Sequence, residues 1–231
     1  MRLLRRLAWR VLVLFMGLLL LYFAWVFTHV LWWNFVNPSS SAFMQDRLEV
    51  LQEKNPKAKL HYQWVPYKKI SLHLKRAVVA AEDANFMEHE GFDWDAIQKA
   101  YEKNIKRGRV VAGGSTISQQ LAKNMFLSPK RSAVRKIEEA IITVMIETVM
   151  SKQRIFEIYL NIIEWGNGVF GCEAAARHYF NTSVARLDAW DAARMAAMIP
   201  NPRYYDRNRN TPYLKKKVTL ILRRMPSAVV P

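Results

Sequence analysis

Glu82 stands in a sequence context that suits acid–base chemistry. It lies four residues after Val78, so its side chain continues the apolar stripe of a predicted helix. It also lies at the end of that helix, where the helix dipole disfavours an anion. Both effects raise the pKa of a carboxyl group, as a general base working near neutral pH requires. A helix-end acid that is hydrogen-bonded to backbone or paired with a lysine would give the same pattern.

A run of hydrogen-bond donors without acids follows the Gly113-Gly114 turn. Thr116, Gln120 and Lys123 share one side of a predicted helix at i, i+4 and i+7. The turn precedes the helix N-terminus, whose free N–H groups and positive dipole end favour an anion. Donors and one cation suit a phosphate or sugar hydroxyls, although a polar stripe is more commonly the solvent-facing side of a helix.

A cationic cluster opens the longest predicted helix. Arg131, Arg135 and Glu139 lie at i, i+4 and i+8, and Lys136 lies three residues before Glu139. Surface ion pairs worth well under ~1 kcal/mol each would produce the same spacing. Together with Glu82, however, the chain offers two carboxylates, which suit glycosyl chemistry, and cations, which suit a nearby phosphate.

Helices must position most of these residues, because apolar periodicity and capping residues predict a mainly α domain. Asp93 is expected to cap a helix that turns Trp94 and Tyr101 inward, and Thr116 with Gln119 fits a capping box. The longest helix carries an apolar side formed by Val134, Ile137, Ile141 and Val144. Other elements are expected at 60–64 (a short strand), 115–125, 151–161, 171–180 and 188–199.

The N-terminus predicts a membrane anchor. Residues 11–36 carry no charge, and as a helix they reach roughly 39 Å, enough to cross a hydrocarbon core of about 30 Å. The competing interpretation, a cleaved signal peptide, has an apolar stretch of only about 7–15 residues. Basic residues before the span place the N-terminus in the cytoplasm and the rest of the chain outside. These residues are Arg2, Arg5, Arg6 and Arg10.

The composition limits the classes of partner. Lys and Arg outnumber Asp and Glu by 35 to 19, which gives a net charge of +16, and a hydrophobic content of 51% excludes a disordered chain. The single cysteine, Cys172, excludes a disulfide framework and a structural zinc site. A basic surface suits nucleic acid, anionic lipids or an anionic substrate, and export argues against nucleic acid. The basic residues 206–231 are expected to form a solvated tail or to lie near an anionic membrane.

Four motifs occur in the order that is typical of one enzyme family. They are E-D-x-x-F-x-x-H-x-G from Glu82, G-S-T-I-S-Q-Q-x-x-K-N from Gly114, R-K-x-x-E from Arg135 and K-x-x-I-x-E-x-Y-L-N from Lys152. The chain therefore resembles the peptidoglycan glycosyltransferases of family 51 over about residues 65–205. The resemblance implies a lysozyme-like, mainly α domain of two lobes, with a cleft between a larger lobe and a smaller, membrane-contacting one.

The resemblance also implies the reaction and the roles of the residues. The growing glycan strand on undecaprenyl diphosphate would be the donor, and lipid II would supply the attacking 4-hydroxyl. Glu82 matches the general base of the family, and Glu139 is the second expected catalytic residue. Mg²⁺ or Mn²⁺ on the diphosphate is compatible with this chemistry, with Glu139 as a candidate ligand. The expected substrate-binding residues are Ser115, Gln120, Lys123, Arg131, Arg135 and Lys136.

The resemblance and the anchor together predict how the protein is organised. We expect a single-pass protein of the bacterial inner membrane whose catalytic domain is periplasmic. Expected partners are membrane lipids and proteins of cell-wall synthesis and division. The chain has no Ser-x-x-Lys motif, so a monofunctional enzyme without transpeptidase activity is expected. The expected segments are 1–10 (cytoplasmic), 11–36 (transmembrane), 37–64 (linker), 65–205 (glycosyltransferase domain) and 206–231 (basic segment).

Two other classes of protein share some of these features. A lysozyme-like lytic enzyme would have the same fold and a catalytic glutamate, but it does not need cations around the leaving group. A non-catalytic, membrane-tethered binding module would explain the anchor and the charge, but it would not explain the four motifs.

Overall fold

The structure, a computed structural model, describes residues 1–109, 111, 113–130 and 132–231. Arg131, one of the expected substrate-binding residues, therefore lies outside the described residues. The described part of the chain is mainly helical, which confirms the predicted fold class. Its helices are α1 (Arg2–Trp33), α2 (Ala42–Lys54), α3 (Leu72–Glu82), α4 (Trp94–Arg107), α5 (Ile117–Phe126), α6 (Ala133–Val149), α7 (Lys152–Ile162), α8 (Cys172–Phe180), α9 (Ala189–Met198), α10 (Pro202–Arg207) and α11 (Pro212–Arg224).

Side-chain caps fix the starts of several helices where the sequence predicts them. The Asp93 carboxylate accepts from the Ala96 N–H at 2.8 Å at the start of α4. At the start of α5, Thr116 Oγ1 accepts from the Gln119 N–H, and Gln119 Oε1 accepts from the Thr116 N–H. The predicted capping box is therefore confirmed. Such caps satisfy backbone donors that a helix cannot pair internally.

Two groups of helices form the core. Helices α3, α9 and α11 pack on one another, and α5 packs on α6 and α7. The apolar stripe of α3 is confirmed, since Leu74, Ala77 and Val78 are completely buried. Both functional segments that the sequence singles out, the end of α3 and the first turns of α5, are therefore supported by packed helices.

The C-terminal segment belongs to this core. Helix α11 buries Leu214, Val218 and Ile221, which recur at the i, i+4, i+7 spacing of one helix face. The interpretation of residues 206–231 as a solvated tail is therefore wrong. Their basic residues lie on a helix that packs against α3, and this brings a lysine of α11 close to Glu82.

A small sheet joins the chain before α3 to the chain after α7. Its strands are β1 (His61–Tyr62), β2 (Glu164–Gly166) and β3 (Val169–Phe170), in the order β1-β3-β2. Strand β3 pairs in parallel with β1 and antiparallel with β2. The side chain of Asn161 accepts from the Val65 N–H at 2.8 Å and donates to the Val65 carbonyl at 2.9 Å. Helix α7 is therefore fixed to the segment that follows β1.

Two predicted apolar faces do not enter the core. Trp94 and Tyr101 of α4 are 71% and 66% exposed, so the expectation that they turn inward is wrong. On α6, Val134 and Ile137 are more than half exposed as well. Periodicity identifies an amphipathic helix, but it does not determine whether the apolar side meets a core or a lipid phase.

The anchor helix packs on the rest of the protein at its C-terminal end. Val26 and Val30 of α1 are completely buried, and α1 contacts α6. The guanidinium of Arg154 donates to the carbonyls of Trp33 and Val36, each at 2.9 Å, and so caps the end of the helix. The chain therefore holds the anchor in a defined orientation near the end where it enters the helical domain.

Candidate active site

Glu82 is the last residue of α3, and its carboxylate lies between two helices. Gln120 Nε2 on α5 donates to Glu82 Oε2 at 2.9 Å, and Lys217 Nζ on α11 lies 4.0 Å from Glu82 Oε1. Only 10% of the Glu82 side chain is exposed. Burial raises the pKa of Glu82, and the nearby cations Lys217 and Lys123 only partly offset this effect. The prediction of a carboxyl with a raised pKa thus has a geometric basis.

Asp83, the next residue, has a structural task. Its carboxylate accepts from the Ile117 N–H at 2.9 Å, at the first turn of α5, and interacts with His89 Nε2 at 3.0 Å. Asp83 therefore contacts the loop after α3 through His89, while Asn85 of that loop donates to Asp93 at 2.9 Å. Asp83 links the end of α3 directly to the start of α5, and this link sets where Glu82 lies relative to Gln120.

The start of α5 is not the open anion site that its sequence suggests. The N–H of Ile117 donates to Asp83, and the N–H of Gln119 donates to Thr116. Gly114 places this segment against α4, because a Cβ atom at Gly114 would lie 2.8 Å from the Cα atom of Ile97. Two of the N–H groups at the helix end thus serve the fold and are not available to bind an anion.

The expected cations gather around Glu139 on α6. Lys136 Nζ pairs with Glu139 Oε1 and donates to Ser115 Oγ at 3.4 Å. Arg135 Nη1 lies 3.5 Å from Glu139 Oε2. Burial lowers the pKa of Lys123, and the charges acting on it include Glu139 and Glu82. Lys123 therefore lies in the field of both carboxylates and connects the two halves of the site.

Glu139 is almost completely buried, with a relative exposure of 3%, and each of its two carboxylate oxygens pairs with a cation. Burying a charged group costs free energy unless oppositely charged partners compensate it. The role of Glu139 in this geometry is to hold Lys136 and Arg135 in place. A divalent ion would need further oxygen ligands, and the described residues contain no group of three or more acidic, His or Cys side chains that could hold a metal. The described residues therefore do not fit a metal held by the protein.

Glu82 and Gln120, which are hydrogen-bonded to each other, each line a surface depression. One of about 190 Å³ is lined by Glu82, Ser115 and Arg224, among others. The other, of about 200 Å³, is lined by Gln120 and Lys123. Hydrogen bonds, ion pairs and charge interactions link every predicted site residue that the structure describes. These residues are Glu82, Ser115, Gln120, Lys123, Arg135, Lys136 and Glu139.

Lys217 and Tyr159 lie at this site although the sequence patterns predicted no role for either of them. Tyr159 Oη donates to Gln120 Oε1 at 3.0 Å. The signal for Lys217 was its position between Leu214 and Val218 on the buried face of α11, where a lysine needs a partner. Tyr159 belongs to the fourth motif, K-x-x-I-x-E-x-Y-L-N, but the motif gave it no role, and a buried aromatic residue in a helix is ordinary core composition.

The site combines a proton acceptor with a separate cationic region. A buried carboxylate with a raised pKa suits removal of a proton from a hydroxyl nucleophile. Cations beside it suit the stabilisation of charge on a leaving phosphate. Fold and site together define the class of glycosyl-transferring enzymes.

Comparisons with known proteins agree with this class. The family model described as transglycosylase matches residues 48–226, which is more than half of the chain. The chain therefore belongs to the transglycosylase family, whose domain has a lysozyme-like helical fold. The match extends beyond the expected domain of 65–205 at both ends, and it includes α11 with Lys217.

Close relatives cover nearly the whole chain. A protein of Methylobacillus flagellatus is 64% identical, and one of Nitrosospira multiformis is 61% identical; each alignment covers 98% of this chain and 99% of the relative. A protein of Janthinobacterium sp. (strain Marseille) is 58% identical over the full length of both chains. All three relatives are named biosynthetic peptidoglycan transglycosylase.

Proposed function

We propose that the protein is a peptidoglycan glycosyltransferase that polymerises lipid II into β-1,4-linked glycan strands. The donor is the growing strand on undecaprenyl diphosphate, and the acceptor is the 4-hydroxyl of lipid II. The family and its relatives support glycosyl transfer in peptidoglycan synthesis. The observation that carries the proposal is the buried Glu82 carboxylate, hydrogen-bonded to Gln120 and close to the cations Lys217 and Lys123.

Glu82 acts as the general base in this reaction. Its carboxylate takes the proton of the acceptor 4-hydroxyl while that oxygen attacks the anomeric carbon of the donor. The bond from the anomeric carbon to the diphosphate breaks on the opposite side, so the configuration inverts. A raised pKa makes Glu82 a stronger base than an ordinary glutamate, and Gln120 and Lys217 hold its carboxylate in place.

The cations stabilise the diphosphate that leaves. Lys136, Arg135 and Lys123 supply positive charge, and Ser115 adds a hydroxyl next to Lys136. A diphosphate is a good leaving group, so charge stabilisation can replace the general acid that a glycosidase needs. A lytic enzyme has no use for this cationic region, and the proposal therefore favours synthesis over hydrolysis.

Membrane lipids are the second proposed partner. Helix α1 is long and apolar enough to cross a membrane by length and composition. The exposed apolar side chains of α4 and α6 favour contact with the same membrane. We infer a cytoplasmic N-terminus and a periplasmic catalytic domain in the inner membrane. Contacts with other proteins of cell-wall synthesis and division, and the lack of transpeptidase activity, remain predictions.

The proposal is tested by product analysis with purified protein and fluorescent lipid II. We expect glycan polymers that a peptidoglycan hydrolase digests, and we expect no release of fragments from finished peptidoglycan. A parallel reaction with chelator measures how far a divalent ion on the diphosphate contributes. Release of fragments from finished peptidoglycan without polymer from lipid II would contradict the proposal and support a lytic enzyme.

A further inference from the structure

Tyr159 begins a hydrogen-bonded chain that ends on the proposed base. Its side chain is fully buried on α7, and its hydroxyl donates to Gln120 Oε1 at 3.0 Å. The other end of the same amide, Gln120 Nε2, donates to Glu82 Oε2 at 2.9 Å. Three helices, α7, α5 and α3, each contribute one member of this chain.

The direction of the chain follows from the chemistry of its members. A carboxamide has one accepting end and one donating end, and an ionised carboxylate can only accept. Burial raises the pKa of the Tyr159 phenol well above its usual value, and Glu82 adds to this effect, so the phenol keeps its proton. A phenol O–H that donates to the amide oxygen leaves the amide NH₂ to face Glu82.

We propose that Tyr159 is a positioning residue for glycosyl transfer, which acts through Gln120 to hold Glu82 as an ionised, correctly oriented base. The proposal rests on the role of Glu82 proposed above. Without the hydroxyl, the Gln120 amide is free to rotate and to present its oxygen to Glu82. An amide oxygen next to the carboxyl favours the protonated acid, because only that form can donate to it.

Several charged groups act on Glu82 besides this chain. Lys217 reaches it from α11, Lys123 from α5 and Asp83 from the adjacent position, while Arg224 lines the same depression. None of them is altered when only the Tyr159 hydroxyl is removed. A change in the pH dependence of the Tyr159→Phe enzyme therefore reports on the hydrogen-bonded chain.

The test is the pH profile of kcat/KM for lipid II polymerisation by the full-length Tyr159→Phe enzyme. Relative to wild type, we expect the acidic limb of this profile to move to higher pH. The value of kcat/KM should fall by roughly tenfold near pH 6 and by less near pH 8.5. Tyr179→Phe is the matched control. Its hydroxyl donates to the Trp165 carbonyl at 2.8 Å, away from Glu82, so its loss should leave the acidic limb unmoved.

A double variant tests whether the effect passes through the amide. In a Gln120→Ala background the acidic limb should already be displaced, and adding Tyr159→Phe should move it no further. If Tyr159→Phe is too unstable to assay, Gln120→Leu should show the same displacement, because it also removes the donor to Glu82.

The outcomes separate this inference from the proposed function. The role of Tyr159 would be overturned by an acidic limb that does not move in Tyr159→Phe or in Gln120→Leu. It would also be overturned if Tyr159→Phe moved the acidic limb further in the Gln120→Ala background. Normal polymerisation by a Glu82→Gln enzyme would instead refute the base itself. An inactive Glu82→Gln enzyme with an unmoved limb in Tyr159→Phe would refute only the inference.

Discussion

At the scale of the residue, the raised pKa of Glu82 has a direct kinetic consequence. The base must be ionised to accept a proton, so activity is lost as the pH falls through the pKa of Glu82. Burial places that pKa above the usual value of a glutamate, about 4.3. We therefore expect kcat/KM to decline on the acidic side well before an ordinary carboxyl would be protonated. A pH–rate profile that stays flat down to the usual range would contradict this assignment.

Lys136 provides a second test at this scale, because its charge contact is made throughout the reaction. Lys136→Ala should lower kcat/KM by about 10- to 100-fold and should also weaken a diphosphate-containing donor-site ligand. Turnover of lipid II and equilibrium ligand binding measure the two effects. Lys216→Ala is the matched control, since Lys216 is exposed on α11. If Lys216→Ala lowered turnover and ligand binding as much as Lys136→Ala, the loss would reflect the net charge of the protein and not a specific contact of Lys136.

Glu139→Gln should give an effect of intermediate size, because it loosens two cations without removing either one. Lys136 and Arg135 both pair with this carboxylate, which an uncharged amide holds less firmly. The variant should therefore bind the donor-site ligand more weakly than wild type but more tightly than Lys136→Ala. Binding as weak as that of Lys136→Ala would show that Glu139 contributes more than the position of its cations.

At the scale of the element, the anchor is more than a tether. Arg154 on α7 donates to the carbonyl of Trp33, the last residue of α1, to the carbonyl of Val36 just beyond it and to Asn37 Oδ1, each at 2.9 Å. Arg154→Ala should free the anchor from the domain and lower polymerisation of lipid II in vesicles by about 3- to 10-fold. Turnover of a short-chain lipid II analogue in detergent should change by less than about twofold, since the cleft itself is intact.

Arg177→Ala is a suitable control for this prediction. Arg177 pairs with Glu173 on its own helix, α8, and not with the anchor. Its loss should affect neither assay. An equal loss of activity in vesicles and in detergent for Arg154→Ala would mean that Arg154 supports the catalytic domain itself and not the position of the anchor.

The sequence predicted those features of the helices that depend on local contacts, but not those that depend on long-range packing. The caps at Asp93 and Thr116 act within one turn of a helix, so the sequence alone located them. The outward face of α4, with Trp94 exposed, could not be foreseen, because an apolar stripe has the same periodicity whether it meets protein or lipid. The approach of Lys217 to Glu82 depends on the packing of α11 against α3, which lies beyond local sequence patterns.

At the scale of the whole molecule, the orientation in the membrane can be tested independently of catalysis. Four arginines precede the uncharged span, so the N-terminus should be cytoplasmic and the C-terminus exported. A reporter that is active only in the periplasm should be active when it is fused after Pro231. Activity of a cytoplasm-only reporter at the same position would show the opposite orientation, in which the catalytic domain has no access to lipid II on the outer face.

The central claim is that Glu82 is the base of a glycosyltransferase whose donor rests on separate cations. Glu82→Gln keeps the size of the side chain but removes the proton acceptor. Single-turnover polymerisation of lipid II should therefore fall by about 10²–10⁴-fold, while binding of a diphosphate-containing donor-site ligand stays close to wild type. Near-normal polymerisation by Glu82→Gln would contradict the mechanism, whatever the behaviour of the other residues.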